Sequence, residues 1–232
     1  ERATQVLMEN GDVWSYGDDA GSVGGLGQGA SPTSDRTPRK LNISNVTKLR
    51  HGGDMTNALD SSGNIWMWGR NKYGNSTAGW GPYNTPTNIM GIGTADLTDL
   101  LAVDSETVTD IETSWYTIYA ITNKGTVYCT GENASGELGQ GNTTAKTSSD
   151  GWVKISYFTT KSITVNKLYV GEGSETAFVF ADTSDGWYCW GDNANGKLGL
   201  GDTADKSTPQ KWTHVSNIKT FGMGDGNGYA IA

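Results

Sequence analysis

Short apolar runs, each bounded by glycine and small polar residues, recur along this chain with a long period. One phrase returns four times: Gly11-Asp-Val-Trp-Ser-Tyr-Gly17, Gly63-Asn-Ile-Trp-Met-Trp-Gly69, Gly125-Thr-Val-Tyr-Cys-Thr-Gly131 and Asp185-Gly-Trp-Tyr-Cys-Trp-Gly191. Its closing glycines lie 52, 62 and 60 residues apart. The phrase is rich in β-branched and aromatic residues and reads as a strand near 12–16, 64–68, 126–130 and 186–190. It is apolar on both faces: Trp66 and Trp68 alternate with Ile65 and Met67. A strand apolar on both sides is covered on both sides, so each sheet is expected to be sandwiched between two others. A short apolar segment precedes each phrase (Val6-Leu-Met8, Ala58-Leu59, Tyr119-Ala-Ile121, Phe178-Val-Phe180), separated from it by a turn such as Asn123-Lys-Gly125. Glycine there supplies the positive φ of a tight hairpin.

A glycine-rich loop follows each phrase. Its clearest copies are Gly131-Glu-Asn-Ala-Ser-Gly-Glu-Leu-Gly-Gln-Gly141 and Gly191-Asp-Asn-Ala-Asn-Gly-Lys-Leu-Gly-Leu-Gly201. Two further short strands complete each unit, around Pro38–Ile43 and Val46–Leu49 in the first. Their counterparts fall near Thr87–Met90 and Val108–Glu112, Trp152–Ile155 and Val165–Val170, and Pro209–Trp212 and Ile218–Phe221. About four strands per unit, repeated radially, is the pattern of a β-propeller. The chain is expected to be all-β, a single repeat array with approximate units 1–52, 53–114, 115–174 and 175–226. A fifth unit starts at 227–232, because Gly228-Tyr-Ala-Ile-Ala232 matches the segment that precedes a phrase.

The run Ala120-Ile-Thr-Asn-Lys-Gly-Thr-Val-Tyr-Cys-Thr-Gly-Glu-Asn-Ala-Ser-Gly-Glu-Leu-Gly-Gln-Gly141 resembles the regulator of chromosome condensation repeat. Four in-phase copies carry that resemblance over nearly the whole chain. It implies four-stranded antiparallel blades, about seven to a ring in familiar members. With four units and an extra strand at the tail, a partial seven-bladed ring is expected rather than a closed four-bladed one. Repeat two departs from the pattern: Ala78 stands where the other loops have Leu26, Leu138 and Leu198.

Charge narrows the partners. The net charge is −8, and no Lys or Arg occurs from Gly91 to Asn123, which holds Asp96, Asp99, Asp104, Glu106, Asp110 and Glu112. An acidic surface repels phosphate backbones, so nucleic acid is not an expected partner. The acidic stretch reads as a solvated loop, with a cation site as the sharper alternative. No apolar run is long enough to cross a bilayer as a helix.

Motifs for covalent chemistry are weak. Gly191-Asp-Asn-Ala-Asn-Gly-Lys197 satisfies seven positions of a phosphate loop, but Leu198 stands where magnesium needs Ser or Thr. His51 and His214 are the only histidines, too few for the usual zinc sites. No nucleophile–base pair is signalled. Cys129 and Cys189 occupy one slot in successive units, so their side chains point the same way and do not meet. No catalytic, cofactor or metal residues are expected, and the chain reads as a non-enzyme.

Binding groups are expected where the scaffold pattern breaks. Repeat two brings Arg70, Lys72, Tyr73, Trp80 and Tyr83 into one stretch, and these are the candidate partner-binding residues. Trp80, Trp115, Trp152 and Trp212 lie in or near connections, where tryptophans serve as plugs between blades or as contact surface. The expected function is a non-catalytic binding or structural propeller for a protein or glycan, one module of a larger assembly such as an extracellular or phage virion protein. The resemblance adds two alternatives: a guanine-nucleotide exchange factor-like regulator of a small GTPase, and a secreted inhibitor or receptor-binding propeller.

Overall fold

The computed structural model describes residues 2–18, 24–29, 34–53, 55–70, 83–147, 149–173, 176–214, 218, 220–224 and 227–231. Its strands group into antiparallel sheets in chain order. The first sheet is β1 (Arg2–Leu7), β2 (Val13–Asp18) and β3 (Ser34–Lys40). The second is β4 (Val46–Gly52), β5 (Met55–Asp60), β6 (Ile65–Gly69) and β7 (Tyr83–Asn88). The third is β8 (Val108–Thr113), β9 (Thr117–Thr122), β10 (Val127–Gly131) and β11 (Val153–Lys154). The fourth is β12 (Val165–Glu172), β13 (Ala177–Thr183), β14 (Gly186–Gly191) and β15 (Lys206–Trp212). A last pair joins β16 (Thr220–Gly224) to β17 (Asn227–Ile231).

The four phrases form equivalent strands: β6, β10 and β14 are the third strands of four-stranded sheets, and β2 holds the same place in the three-stranded first sheet, between β1 and β3. The fourth strands of the second and fourth sheets begin earlier than their Pro-led segments suggest, at Tyr83 and Lys206. The sheets are also offset from the sequence units by one strand. β4, at the end of the first unit, is the inner strand of the second sheet. Inner strands β4, β8 and β12 share one irregularity, a bulge at Val46/Lys48, Val108/Asp110 and Val165/Lys167. These strands pack side by side, β4 on β8, β8 on β12 and β12 on β16, so the sheets radiate from a common line. Among the described residues no ladder joins β1 to β16 or β17, and the array is open.

Cores lie between sheets, because the phrase strands are apolar on both faces. Ile65 and Met67 pack with Ile111, Ile118 and Tyr128 between the second and third sheets. Cys129, Leu138, Tyr188 and Trp190 pack between the third and fourth. Val13, Leu41 and Trp68 fill the first joint, and Phe178, Phe180, Cys189 and Phe221 the last. Each such side chain, fully buried, contributes about 1.5–3 kcal/mol.

The glycine loop has a specific job in these joints. Asn133 is fully buried: its Oδ1 accepts from the Leu138 amide at 2.8 Å, and its Nδ2 donates to the Asn142 and Thr144 carbonyls at 3.0 Å each. Asn193 repeats the set with Leu198, Asp202 and Ala204. The loop thereby presents a buried leucine, whose carbonyl is met by the residue two before the closing glycine. Ser15 meets Leu26, Cys129 meets Leu138 and Cys189 meets Leu198. Both cysteines are buried free thiols in matching environments. Burial pushes the Cys189 thiol up to about 12, and that of Cys129 further. The glycine after the leucine then lies against an indole of the next sheet, Gly27 on Trp68 and Gly139 on Trp190.

Two helices were not legible as such. The acidic stretch, expected as a solvated loop, forms helix α1 (Leu97–Asp104) and the inner strand β8. Asp96 caps α1 by accepting from the Thr98 amide at 2.7 Å, the role that favours Asp before a helix. Helix α2 (Ser156–Thr160) occupies the corresponding connection before β12.

Candidate functional site

The inner strands present one polar cleft. Register places Arg50, Glu112 and Tyr169 in one slot of β4, β8 and β12, and His51, Thr113 and Val170 in the next. At this end of the strands a cleft of about 290 Å³ is lined by residues of four sheets, including His51, Glu172 and Met223. Close approach of the backbones shapes it: a Cβ on Gly52 would fall 2.1 Å from the Ser114 carbonyl oxygen.

Ion pairs cross from sheet to sheet here. The Arg50 guanidinium donates twice to Glu112, from Nε at 2.9 Å and Nη2 at 3.0 Å. Lys48 pairs with Asp110 at 2.5 Å. Burial holds the Glu112 carboxyl above the usual carboxylate range, against the opposing pull of Arg50. A bidentate, half-buried pair couples more strongly than a surface one. Replacing Arg50 by methionine strands Glu112 and is expected to cost about 1–2 kcal/mol, discounted for the exposure of the arginine. Glu112→Gln should recover part of that loss, and a double-mutant cycle by urea unfolding checks the coupling.

The repeat-two candidates are only partly brought together. Arg70 follows the last residue of β6, and Tyr83 opens β7 and pairs across from Gly69, so the two are neighbours. Tyr83 is half-buried, packs against the cores on both sides of its sheet, and has its phenol pKa raised by that burial. The loop of the first sheet also docks there, with Gly29 donating to the Asn84 carbonyl at 2.8 Å. Lys72, Tyr73 and Trp80 lie outside the described residues. Arg70 sits at the same end of the sheets as the cleft, since β4 runs toward that end and β6 runs parallel to it.

Three connection tryptophans turn out to be plugs. Trp152 is buried and donates its indole N–H to the Ile89 carbonyl at 3.2 Å. Trp115 lies on Gly53, and Trp212 stacks edge-on to Phe180 with centroids 5.0 Å apart. The phosphate-loop lookalike is also accounted for: Lys197 pairs with Asp192 at 2.6 Å, beside Thr176. Among the described residues, no three His, Cys, Asp or Glu side chains gather as a metal site, and no helix is long and apolar enough to cross a membrane.

Arg50 and Glu172 belong to no motif of the sequence, and His51 stands out there only as one of two histidines. The signal was present in the alignment of inner strands. Lys48 and Arg50 occupy the slots that Asp110 and Glu112 occupy one unit later, so neighbouring strands carry opposite charge.

Radial sheets joined by inter-sheet cores and a glycine-loop lock define a β-propeller blade array. Models of the regulator of chromosome condensation (RCC1) repeat match residues 185–231 and 108–137, so these two stretches carry that repeat. It is 24% identical over 231 residues to the mitochondrial RCC1 domain-containing protein RUG3 of Arabidopsis thaliana, covering 98% of this chain and 48% of that protein. It is 34% identical over 93 residues to the human X-linked retinitis pigmentosa GTPase regulator, covering 40% of this chain and 8% of that protein. Yeast RCC1 (Prp20), solved bound to Kap60, matches in fold with a TM-score of 0.69 at 20% identity, over 96% of this chain and 50% of that one. The chain thus spans about half the length of RUG3 and of the solved yeast chain.

Proposed function

We propose that this chain is a non-catalytic, protein-binding propeller module that works within a longer protein. The observation that carries this reading is the cleft at the inner strands. In a repeat array the shared residues hold the scaffold, and here the cleft positions are the ones that differ from sheet to sheet: Arg50, Glu112 and Tyr169, then His51, Thr113 and Val170. Binding groups gathered on a rigid frame are the usual design of such modules. Arg70 at the same end extends the surface.

Among partner classes, the small GTPase is the one the relatives favour, through the protein named a GTPase regulator. In that reading the chain acts by displacing or holding a switch segment, with no covalent step of its own. A virion or extracellular setting has no support among these relatives.

The test is release of a fluorescent GDP analogue from a panel of small GTPases, together with direct binding by calorimetry. A His51→Ala/Glu172→Lys variant and an Arg70→Ala variant should each weaken binding about tenfold, roughly 1.4 kcal/mol, with an unchanged melting temperature. Full affinity in both variants would remove the cleft from consideration. Binding to other proteins but to no GTPase would leave the module reading and end the GTPase one.

A further inference from the structure

The chain fills two of three equivalent seats with its own helices and leaves the third open. Three residues before the closing glycine of the phrase stand Trp66, Tyr128 and Tyr188, each directed at the preceding joint. Tyr128 is fully buried under α1: Leu97 and Leu101 share its core, and its hydroxyl lies 3.3 Å from Asp104 Oδ2. Tyr188 is buried under α2, with the Tyr157 and Phe158 rings edge-on at 5.8 and 5.6 Å. The corresponding connection before β4 is only the short segment 41–45, with no helix. A hollow of about 450 Å³ lies over Trp66 instead, floored by Leu41 and Ile43 and rimmed by Asn42 and Asn45.

This seat is preformed. The Trp66 indole N–H donates to Asp60 Oδ2 at 2.9 Å. Asp60 also accepts from the Ser62 and Asn64 amides at 2.9 and 3.0 Å, so ring and hairpin are held together. The ring stays half-buried, whereas its two counterparts are covered. The volume is within the roughly 300–1,000 Å³ of cavities that seat a sizeable ligand group.

We propose that this hollow is a docking seat for a short amphipathic helix of a protein partner, taking the place that α1 and α2 hold at the next two joints. The fold itself indicates the occupant: where the chain closes the same position, it does so with a helix presenting leucines four apart, Leu97 and Leu101, or the aromatic pair Tyr157 and Phe158. Helix-in-groove recognition uses the same i, i+4 anchors. The seat lies at the opposite end of the sheets from the inner-strand cleft, between the β3–β4 connection and the β5–β6 hairpin. It is a second surface, independent of what the cleft binds.

The chain itself supplies a probe. A synthetic peptide of residues 95–106, which holds α1, is titrated into the ¹⁵N-labelled chain while the indole N–H signals are followed. The Trp66 signal should move saturably, with a dissociation constant on the order of 0.1–1 mM for so short a helix. A peptide carrying Leu97→Asp and Leu101→Asp should leave it in place. Trp66→Ala removes the floor, and Asn42→Arg blocks the rim at an exposed position without touching the core, so a folded non-binding variant is available. No movement at millimolar peptide, equal movement with the Asp-substituted peptide, or binding undiminished in Asn42→Arg would overturn the seat. So would a response of Trp66 to chitotriose with none to the peptide. None of these outcomes bears on the cleft, whose test uses other variants.

Discussion

Replacing Gly131 with alanine should destabilise the chain by about 4 kcal/mol and lower its melting temperature by roughly 8–16 °C. Gly131 closes the third phrase at φ +118°, where side chains are rarely accommodated. An added Cβ would fall 2.0 Å from the Tyr116 carbonyl oxygen and 2.9 Å from Thr117 Cα, both backbone atoms of the paired strand β9 and its turn. Neither can swing away, so relief requires separating β9 from β10 where the glycine loop begins. The control is Gly201→Ala at the end of the next loop. Its φ is +84°, but nothing lies within 4 Å of an added Cβ. Only the backbone penalty of about 1–2 kcal/mol applies there. Scanning calorimetry of both variants separates collision from conformation. Melting temperatures within about 2 °C of each other would show that the close approach at Gly131 relaxes freely.

Glu137→Gln should stabilise the chain by about 3 kcal/mol above pH 7 and change it little near pH 4. Glu137 is fully buried where the third loop meets the fourth sheet, and its carbonyl accepts from Tyr119 Oη at 2.9 Å and Trp190 Nε1 at 2.7 Å. Its carboxylate accepts from the Ser135 amide at 2.8 Å, and the Glu137 and Ala177 amides offer weaker contacts that only partly offset its burial. Burial raises its pKa from 4.5 to about 7, with Glu132 adding a smaller push. The matching residue of the next loop is Lys197, paired with Asp192, whereas Glu137 and Glu132 put two acids in those positions. Between pH 4.5 and 7 the folded chain keeps a proton that the unfolded chain has released. Stability therefore falls as pH rises through that window, at about 1.4 kcal/mol per unit, and the whole cost is present above it. Urea unfolding of wild type and variant at pH 4.5, 6 and 8 measures this directly. A wild-type curve flat across the window, or a variant no more stable at pH 8, would show that Glu137 is ionised and well solvated.

The contrast between Glu137 and Lys197 shows where legibility in the sequence stops. Both residues stand in the same loop slot, and the repeat makes that equivalence plain. Their environments differ because Lys197 turns back to Asp192 in its own loop, while Glu137 is enclosed at the joint and, among the described residues, forms no ion pair. Tyr83 makes a similar point. Its place beside a broken repeat marks it as a candidate contact residue, and only the structure shows that part of its ring also packs against the cores on both sides of its sheet. Arg50 went unnoticed because its significance comes from Glu112, sixty-two residues on in sequence and one strand away in space.

Local chemistry was enough for the strands, the hairpins, the four-unit phase and the separateness of the two thiols. Alternation, turn glycines and repeat spacing are properties of neighbouring residues, so they survive in a linear reading. Asn133 and Asn193 could be recognised as recurrent, but not as the groups that hold the loop carbonyls. The offset of sheets from sequence units, the charge ladder across the inner strands and the open seat over Trp66 were set by long-range packing. Each depends on which strand of one unit lies against which strand of another. The helices α1 and α2 belong with these. Their segments are short, marginal on their own and stabilised by the aromatic side chains they cover, so they form where a Tyr waits in the next sheet, and the connection beside Trp66 has none.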